Sequence, residues 1–346
     1  MKEMKIYMEW NSQKDAIESL QKAERYLDQR QLTLAKFFYT DAVKLNSENA
    51  YACGKELETV FMLGQKQQSL KLIEKMKVKF PEEYYPWHME YLILATENEE
   101  KVKKLLESAE GKFSKNSYYQ YDKFIFYVGM EYYTEAVKIA ENNLIADDEM
   151  LVKVVDELSD VYVLLGDVDR AISILEKAQT IDNNVLFIVK LIQYRLMKGE
   201  NKEIEKLCEM LPDNNCFAQV FKIIINTIIY NDKEEKKLEI NNAIMLCKSS
   251  KAEYPYRMCL DLLCAVLYYM VGEIENALEI LEYIEVLSDK RIKEVSDLKK
   301  TISANCINDN DNDNESLCFS TYVWDAALKV FVQYIRGDIS DGKIRY

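Results

Sequence analysis

The sequence predicts an all-α protein, a right-handed α-α superhelix of stacked helix pairs with a helix capping its C-terminal end. Three observations carry this. Glycine and proline are scarce: 9 and 4 among 346 residues, where average usage would give roughly 24 and 17. That removes most β-hairpins and glycine-rich phosphate loops. Next, Gly64, Gly166, Gly199 and Gly272 each stand between two helix-like segments, 102, 33 and 73 residues apart. Those gaps are close to three, one and two periods of about 34, a repeat length typical of solenoids. Finally, the apolar residues recur at helical rather than alternating spacing.

The clearest unit is 152–184, VKVVDELSDVYVLLGDVDRAISILEKAQTIDNN. Val155, Leu158, Ser159 and Tyr162 line one face of its first helix. Leu165-Gly166-Asp167 breaks that helix. Ala171, Ile174, Leu175 and Ala178 line one face of the second, where the small alanines let a neighbouring helix come close. Asp182-Asn183-Asn184 closes the unit with turn chemistry.

This unit resembles a tetratricopeptide repeat. Tyr162, Gly166, Ala171, Leu175 and Ala178 match that family's pattern. Ser159 stands at its small position and Asn183 replaces its terminal proline. In the same phase, 16–49 carries Ala23, Tyr26, Ala35, Tyr39 and Ala42. Residues 50–83 carry Gly64, Ile73 and Met76 and end near Pro81. Residues 84–116 open with Trp87, with Pro86 in a first helical turn, where proline is tolerated. Residues 117–151 carry Tyr127 and Ala136, and 185–218 carry Gly199 and Cys208 and break at Pro212. The stretch 219–257 fits loosely and exits at Pro255. Residues 258–291 carry Ala265, Tyr268, Gly272, Ala277 and Leu281. The expected organisation is a lead-in at 1–15, a solenoid of about eight helix pairs at 16–291, and an extension at 292–346. Each pair has too little apolar surface to bury alone, so stacking makes one continuous core.

The extension contains the Asn/Asp-rich loop 308–315. Asp309, Asp311 and Asp313 have the spacing of the first EF-hand ligands. Asn314 stands where that loop needs glycine and Ser320 where it needs glutamate, so a flexible loop is expected. The apolar segment 317–336 is expected to cap the last repeat; docking on a partner is the alternative.

With 45 Lys and Arg against 59 Asp and Glu, the net charge is −14. Such a surface repels phosphate backbones and anionic membranes on average, so neither nucleic acid nor membrane is an expected partner. Eight cysteines include no C-x-x-C, and none lies near the single histidine, His88. The reading is free, mostly buried thiols with no metal and no cofactor. The first fifteen residues have no apolar leader region, and a cytoplasmic location is expected. Neither G-x-x-x-x-G-K nor G-x-G-x-x-G occurs, and any histidine-centred catalysis could involve only His88. No catalytic residue is assigned.

The expected function is therefore a non-catalytic protein or peptide interaction module, a scaffold or adaptor. A peptide-sensing regulator is the alternative, and an enzyme on a helical scaffold a third reading. The resemblance implies that the concave groove is lined by positions two, five, nine and twelve of each first helix. In this sequence those positions include Tyr51, Phe61, Tyr85, His88, Tyr118, Tyr121 and Ile125, followed by Asp156 and Asp160, which could orient a basic group. Packing of these tyrosines between adjacent repeats is the competing reading, and a groove filled by the chain's own C-terminal segment is another. The family's clamp for a C-terminal carboxylate, Lys and Asn on successive first helices, is absent. The matching positions read Leu20 and Glu24, then Gly54 and Glu58. Oligomeric state is left open.

Overall fold

The computed structural model describes residues 2–95, 97–211, 216–230, 233–250, 256–287, 293–308, 339–340 and 343–344. They form seventeen helices and one two-residue strand pair. The chain divides into two compact units, Met1–Glu157 and Leu158–Tyr346.

In the first unit the helices come in pairs. They are α1 (Lys2–Asp28) with α2 (Leu32–Leu45), and α3 (Ala50–Met62) with α4 (Lys66–Lys79). Then come α5 (Tyr85–Ala95) with α6 (Glu99–Phe113), and α7 (Ser117–Gly129) with α8 (Tyr133–Asn143). Each helix packs on the next, and α3, α5 and α7 also touch in sequence, so first helices neighbour first helices. The unit boundary falls within α9 (Asp148–Leu164).

The second unit continues with α10 (Val168–Ile181), α11 (Val185–Lys198), α12 (Asn201–Met210), α13 (Cys216–Tyr230) and α14 (Lys233–Ser249). It ends its helices with α15 (Tyr256–Met270), α16 (Ile274–Leu287) and α17 (Lys293–Asn308). Here α10 packs on α11 and α11 on α12, each helix from α13 to α16 packs on the next, and α13 touches α15.

Local chemistry sets these boundaries. Asn49, Asn116 and Asn184 each end one pair and cap the next helix. Their side chains accept from the backbone N–H of Ala52, Tyr119 and Leu186 at 3.1, 3.1 and 3.0 Å, satisfying donors that a helix start leaves open. Within a pair the turn passes through left-handed backbone, with φ 82° at Gly166, which glycine adopts without penalty. Arg30 (φ 57°) and Glu131 (φ 61°) take the same conformation at the same place in their pairs. Second helices turn small residues inward: Ala35, Ala136, Ala140, Ala171, Ala178 and Ala277 are fully buried, which lets helix axes approach closely.

One strand pair occurs among the described residues. Ile339–Ser340 (β1) pairs antiparallel with Lys343–Ile344 (β2), and the two residues between them are Asp341-Gly342, a strong tight-hairpin signal. The acidic stretch beyond Asn308, the segment 317–336, Pro212 and Pro255 lie outside the described residues. No helix among the described residues is long and apolar enough to cross a membrane.

Candidate functional site

The candidate positions ride on first helices, and the polar contacts they make run from one first helix to the next. Tyr51, on α3, is exposed, and its hydroxyl donates to Glu24 Oε1 on α1 at 2.8 Å. Burial of the hydroxyl, then Glu24, raises the Tyr51 pKa. Tyr85, at the start of α5, is half-buried beside Gly54 of α3, 3.5 Å from that residue's carbonyl oxygen, and burial raises its pKa. Phe61 is half-buried against Leu57, Ile73 and their neighbours.

His88 meets α7. Its Nδ1 lies 2.9 Å from both Oδ1 and Oδ2 of Asp122, while the Tyr84 hydroxyl donates to Asp122 Oδ2 at 2.8 Å. The Asp122 side chain is 1% exposed and that of His88 25%, so the carboxylate sits behind the imidazole. A carboxylate can only accept, so Nδ1 carries the hydrogen and Nε2 is left as the ring's outer nitrogen. Burial raises the Asp122 pKa, opposed by His88 and by Tyr84.

Tyr118 is exposed on α7. Its hydroxyl lies 3.1 Å from Glu149 Oε1, and Lys153 Nζ donates to that hydroxyl at 2.9 Å. The same ammonium is 3.0 Å from Glu149 and 4.3 Å from the Tyr118 ring centre. Contacts with Lys153 and Tyr118 lower the Glu149 pKa. Tyr121 is half-buried, Ile125 packs beside the Tyr84, Tyr91 and Phe113 cluster, and Asp156 is buried.

Asp160 belongs to the second unit, and there its charge is met by its own chain. Lys190 Nζ, on α11 and only 2% exposed, lies 2.8 Å from Asp160 Oδ1, and the Tyr194 hydroxyl donates to the same oxygen at 2.5 Å. Tyr194 also reaches Ser159 at 3.3 Å. Within its own unit, each of these polar candidates meets a neighbouring first helix: Tyr51 meets α1, His88 meets α7, Tyr118 meets α9 and Asp160 meets α11.

Sequence reasoning passed over Tyr84, Asp122, Glu149, Lys190 and Tyr194. A usable signal was present: His88 and Asp122 are 34 residues apart, and so are Asp160 and Tyr194, one period in each case.

Cys53, Cys208, Cys247 and Cys264 are buried free thiols and Cys216 is half-buried. Burial pushes the Cys208 thiol up to about 11, which keeps it protonated and unreactive near neutrality.

Residues 153–185 match the family model for the tetratricopeptide repeat. The crystal structure of the apo form of RapI superposes with a TM-score of 0.56 at 12% identity, covering 94% of this chain and 99% of that one. The chain has a tetratricopeptide-like repeat fold. A tetratricopeptide repeat protein from Parabacteroides merdae aligns at 14% identity over 83% of this chain and 98% of its own, with a TM-score of 0.45. The Cut9–Hcn1 hetero-tetramer structure aligns at 11% identity over 89% and 61%, with a TM-score of 0.43. No curated protein sequence matches the chain. Within the tetratricopeptide-like frame, the contacts above are ties between equivalent helices of consecutive repeats.

Proposed function

We propose that this chain is a non-catalytic binding protein that holds a protein segment or peptide on the first-helix face of its first unit. Stacked helix pairs of this kind present extended surfaces suited to partner binding. The observation that carries the reading is the exposure of Tyr51 and Tyr118, 54% and 45%, at the same position of their repeats. Their hydroxyls are held by Glu24 and Glu149, and so the rings are fixed rather than floppy. Rigid, amphipathic aromatic rings at a surface are the residues that dominate binding interfaces.

The net charge of −14 supports a protein or peptide rather than a nucleic acid as occupant. A cytoplasmic site of action fits a chain with buried free thiols. The test is partner capture from host lysate by the wild-type chain and by a Tyr118→Ala, Tyr121→Ala double variant. Loss of the captured species with little change in melting temperature supports the reading. Undiminished capture, or global unfolding of the variant, returns both tyrosines to a structural role. The size of the captured species separates a scaffold, which retains a folded protein, from a peptide sensor, which retains a short peptide.

A further inference from the structure

Two carboxylates stand at equivalent places in the first two pairs: Glu24 on α1 and Glu58 on α3, 34 residues apart and both half-buried. Tyr51 links them. Its hydroxyl donates to Glu24 at 2.8 Å, and its ring centre lies 5.9 Å from Lys55 Nζ. That same ammonium is 2.8 Å from Glu58 Oε2. The chain's own lysine therefore already places a cation against one carboxylate and the aromatic ring. The pair is three residues apart on one helix, with the lysine 28% and the glutamate 37% exposed. An ion pair of that kind is weak and readily exchanged for another.

An independent observation comes from beneath. Tyr39 is 0% exposed, and its hydroxyl lies close enough to Glu24 for that carboxylate to help raise its pKa, yet makes no hydrogen bond of normal length and angle among the described residues. A buried phenol normally finds an acceptor. Glu24 thus has two tyrosine hydroxyls within its reach and accepts from one, Tyr51. A cation arriving from outside can take the oxygen that Tyr51 now holds, while the carboxylate turns to Tyr39.

We propose that Glu24, Glu58 and Tyr51 form the subsite for one positively charged group of the bound chain: a guanidinium, a lysyl ammonium or a free N-terminal amine. Lys55 fills this subsite until the partner arrives. Its ammonium is held above the ordinary lysine value by Glu58, with Tyr51 and Glu24 adding to the effect. The cation is favoured by both carboxylates and by the face of the ring. The proposal rests on the first-helix face being the partner site.

The test uses the purified full chain on an array of ten-residue peptides. Each peptide is made in four forms: unmodified, with arginine replaced by citrulline, with lysine replaced by norleucine, and with an acetylated N-terminus. Peptides that bind are expected to lose about tenfold or more in affinity on one replacement, and which one identifies the source of the charge. An E24Q, E58Q double variant is expected to lose the same factor on the charged forms and nothing on the neutralised ones. A K55M variant is expected to bind the charged forms about twofold to threefold more tightly, a gain that misfolding cannot produce. Indifference of bound peptides to all three replacements, or of the charged forms to E24Q, E58Q, overturns the subsite while leaving the face intact. Peptide binding that survives the Tyr118→Ala, Tyr121→Ala double variant, or its absence in the wild type, counts against the face itself.

Discussion

The same position of the repeat has opposite surroundings in the two units. In the first unit, position two of the first helix is Tyr51 on α3 and Tyr118 on α7, exposed by 54% and 45%. In the second, it is Leu186 on α11, exposed by 6%. The difference reaches whole helices. On α11, Leu186 through Ile192 are all buried, and on α15 so are Leu262 through Tyr268. A helix that is apolar all round has no free face. By contrast, α7 and α3 interleave buried residues with half-buried or exposed ones. The repeat geometry alone therefore does not create a binding face. The proposed face rests on which first helices leave a stripe uncovered, and at position two of α3 and α7 in the first unit that stripe carries the aromatic rings of Tyr51 and Tyr118.

The largest effect that sharpens this contrast comes from truncating the same position in both units. Leu186→Ala removes a buried side chain and is expected to cost about 2–5 kcal/mol. Tyr118→Ala, at an exposed site with a solvent-screened ion pair, is expected to cost about 1 kcal/mol or less. Urea denaturation of both variants decides it. Equal losses would mean that Tyr118 is a core residue like its counterpart, and the distinction between the units would fail.

A smaller effect concerns the polar tie between α5 and α7. Burial raises the pKa of Asp122 in the folded chain above its unfolded value, so the folded state binds the proton more tightly. Between those two values the folded state holds more protons than the unfolded one, and stability falls as pH rises through that window. The window opens near the ordinary aspartate value of about 4 and extends upward. Asp122→Asn removes this titration and weakens the bonds to His88 and Tyr84, at a cost on the order of 1–2 kcal/mol. Wild type should lose part of its advantage over the variant as pH is raised from about 4. Parallel stability profiles for the two would show that Asp122 titrates as a solvated carboxyl and that the tie is superficial.

Much of the fold is legible in the sequence because the repeat writes the same physics several times. The starts of α3, α7 and α11 at Ala50, Ser117 and Val185 follow from the 34-residue phase, with an asparagine cap just before each. Other features have no one-residue signature. Arg30 and Glu131 take left-handed backbone although neither residue type favours it. Their turns borrow that conformation from the pair geometry, as Gly166 does by its own preference. The short β1–β2 pair escapes a reading based on glycine scarcity. At the candidate site, helical position identifies Tyr51 and Tyr118, but what each side chain meets depends on the neighbouring repeat. Asp160 shows this best. It reads as a free carboxylate in sequence, and in the fold it is held by Lys190 and Tyr194.

The smallest effect tests how firmly the first unit's aromatic face is set. Gly54 sits inside α3, buried, where an added Cβ would lie 3.3 Å from Tyr85 Cε1. Alanine in a helix interior is favoured over glycine by about 0.8–1 kcal/mol. Against this, the Tyr85 ring must give way by a few tenths of an ångström. That ring is half-buried, and its hydroxyl is only loosely tied, 3.5 Å from the Gly54 carbonyl oxygen. Its ability to move leaves the two effects nearly balanced, and Gly54→Ala should change stability by less than about 1 kcal/mol in either direction. The ring's displacement should nevertheless alter the near-ultraviolet circular dichroism and reduce peptide binding at the adjoining face. A loss above about 2 kcal/mol, the scale of an overpacked core, would mean that Tyr85 is locked in place. The seam between α3 and α5 would then be as tightly filled as the first helices of the second unit, and the contrast between the units would narrow to Tyr51 and Tyr118 alone.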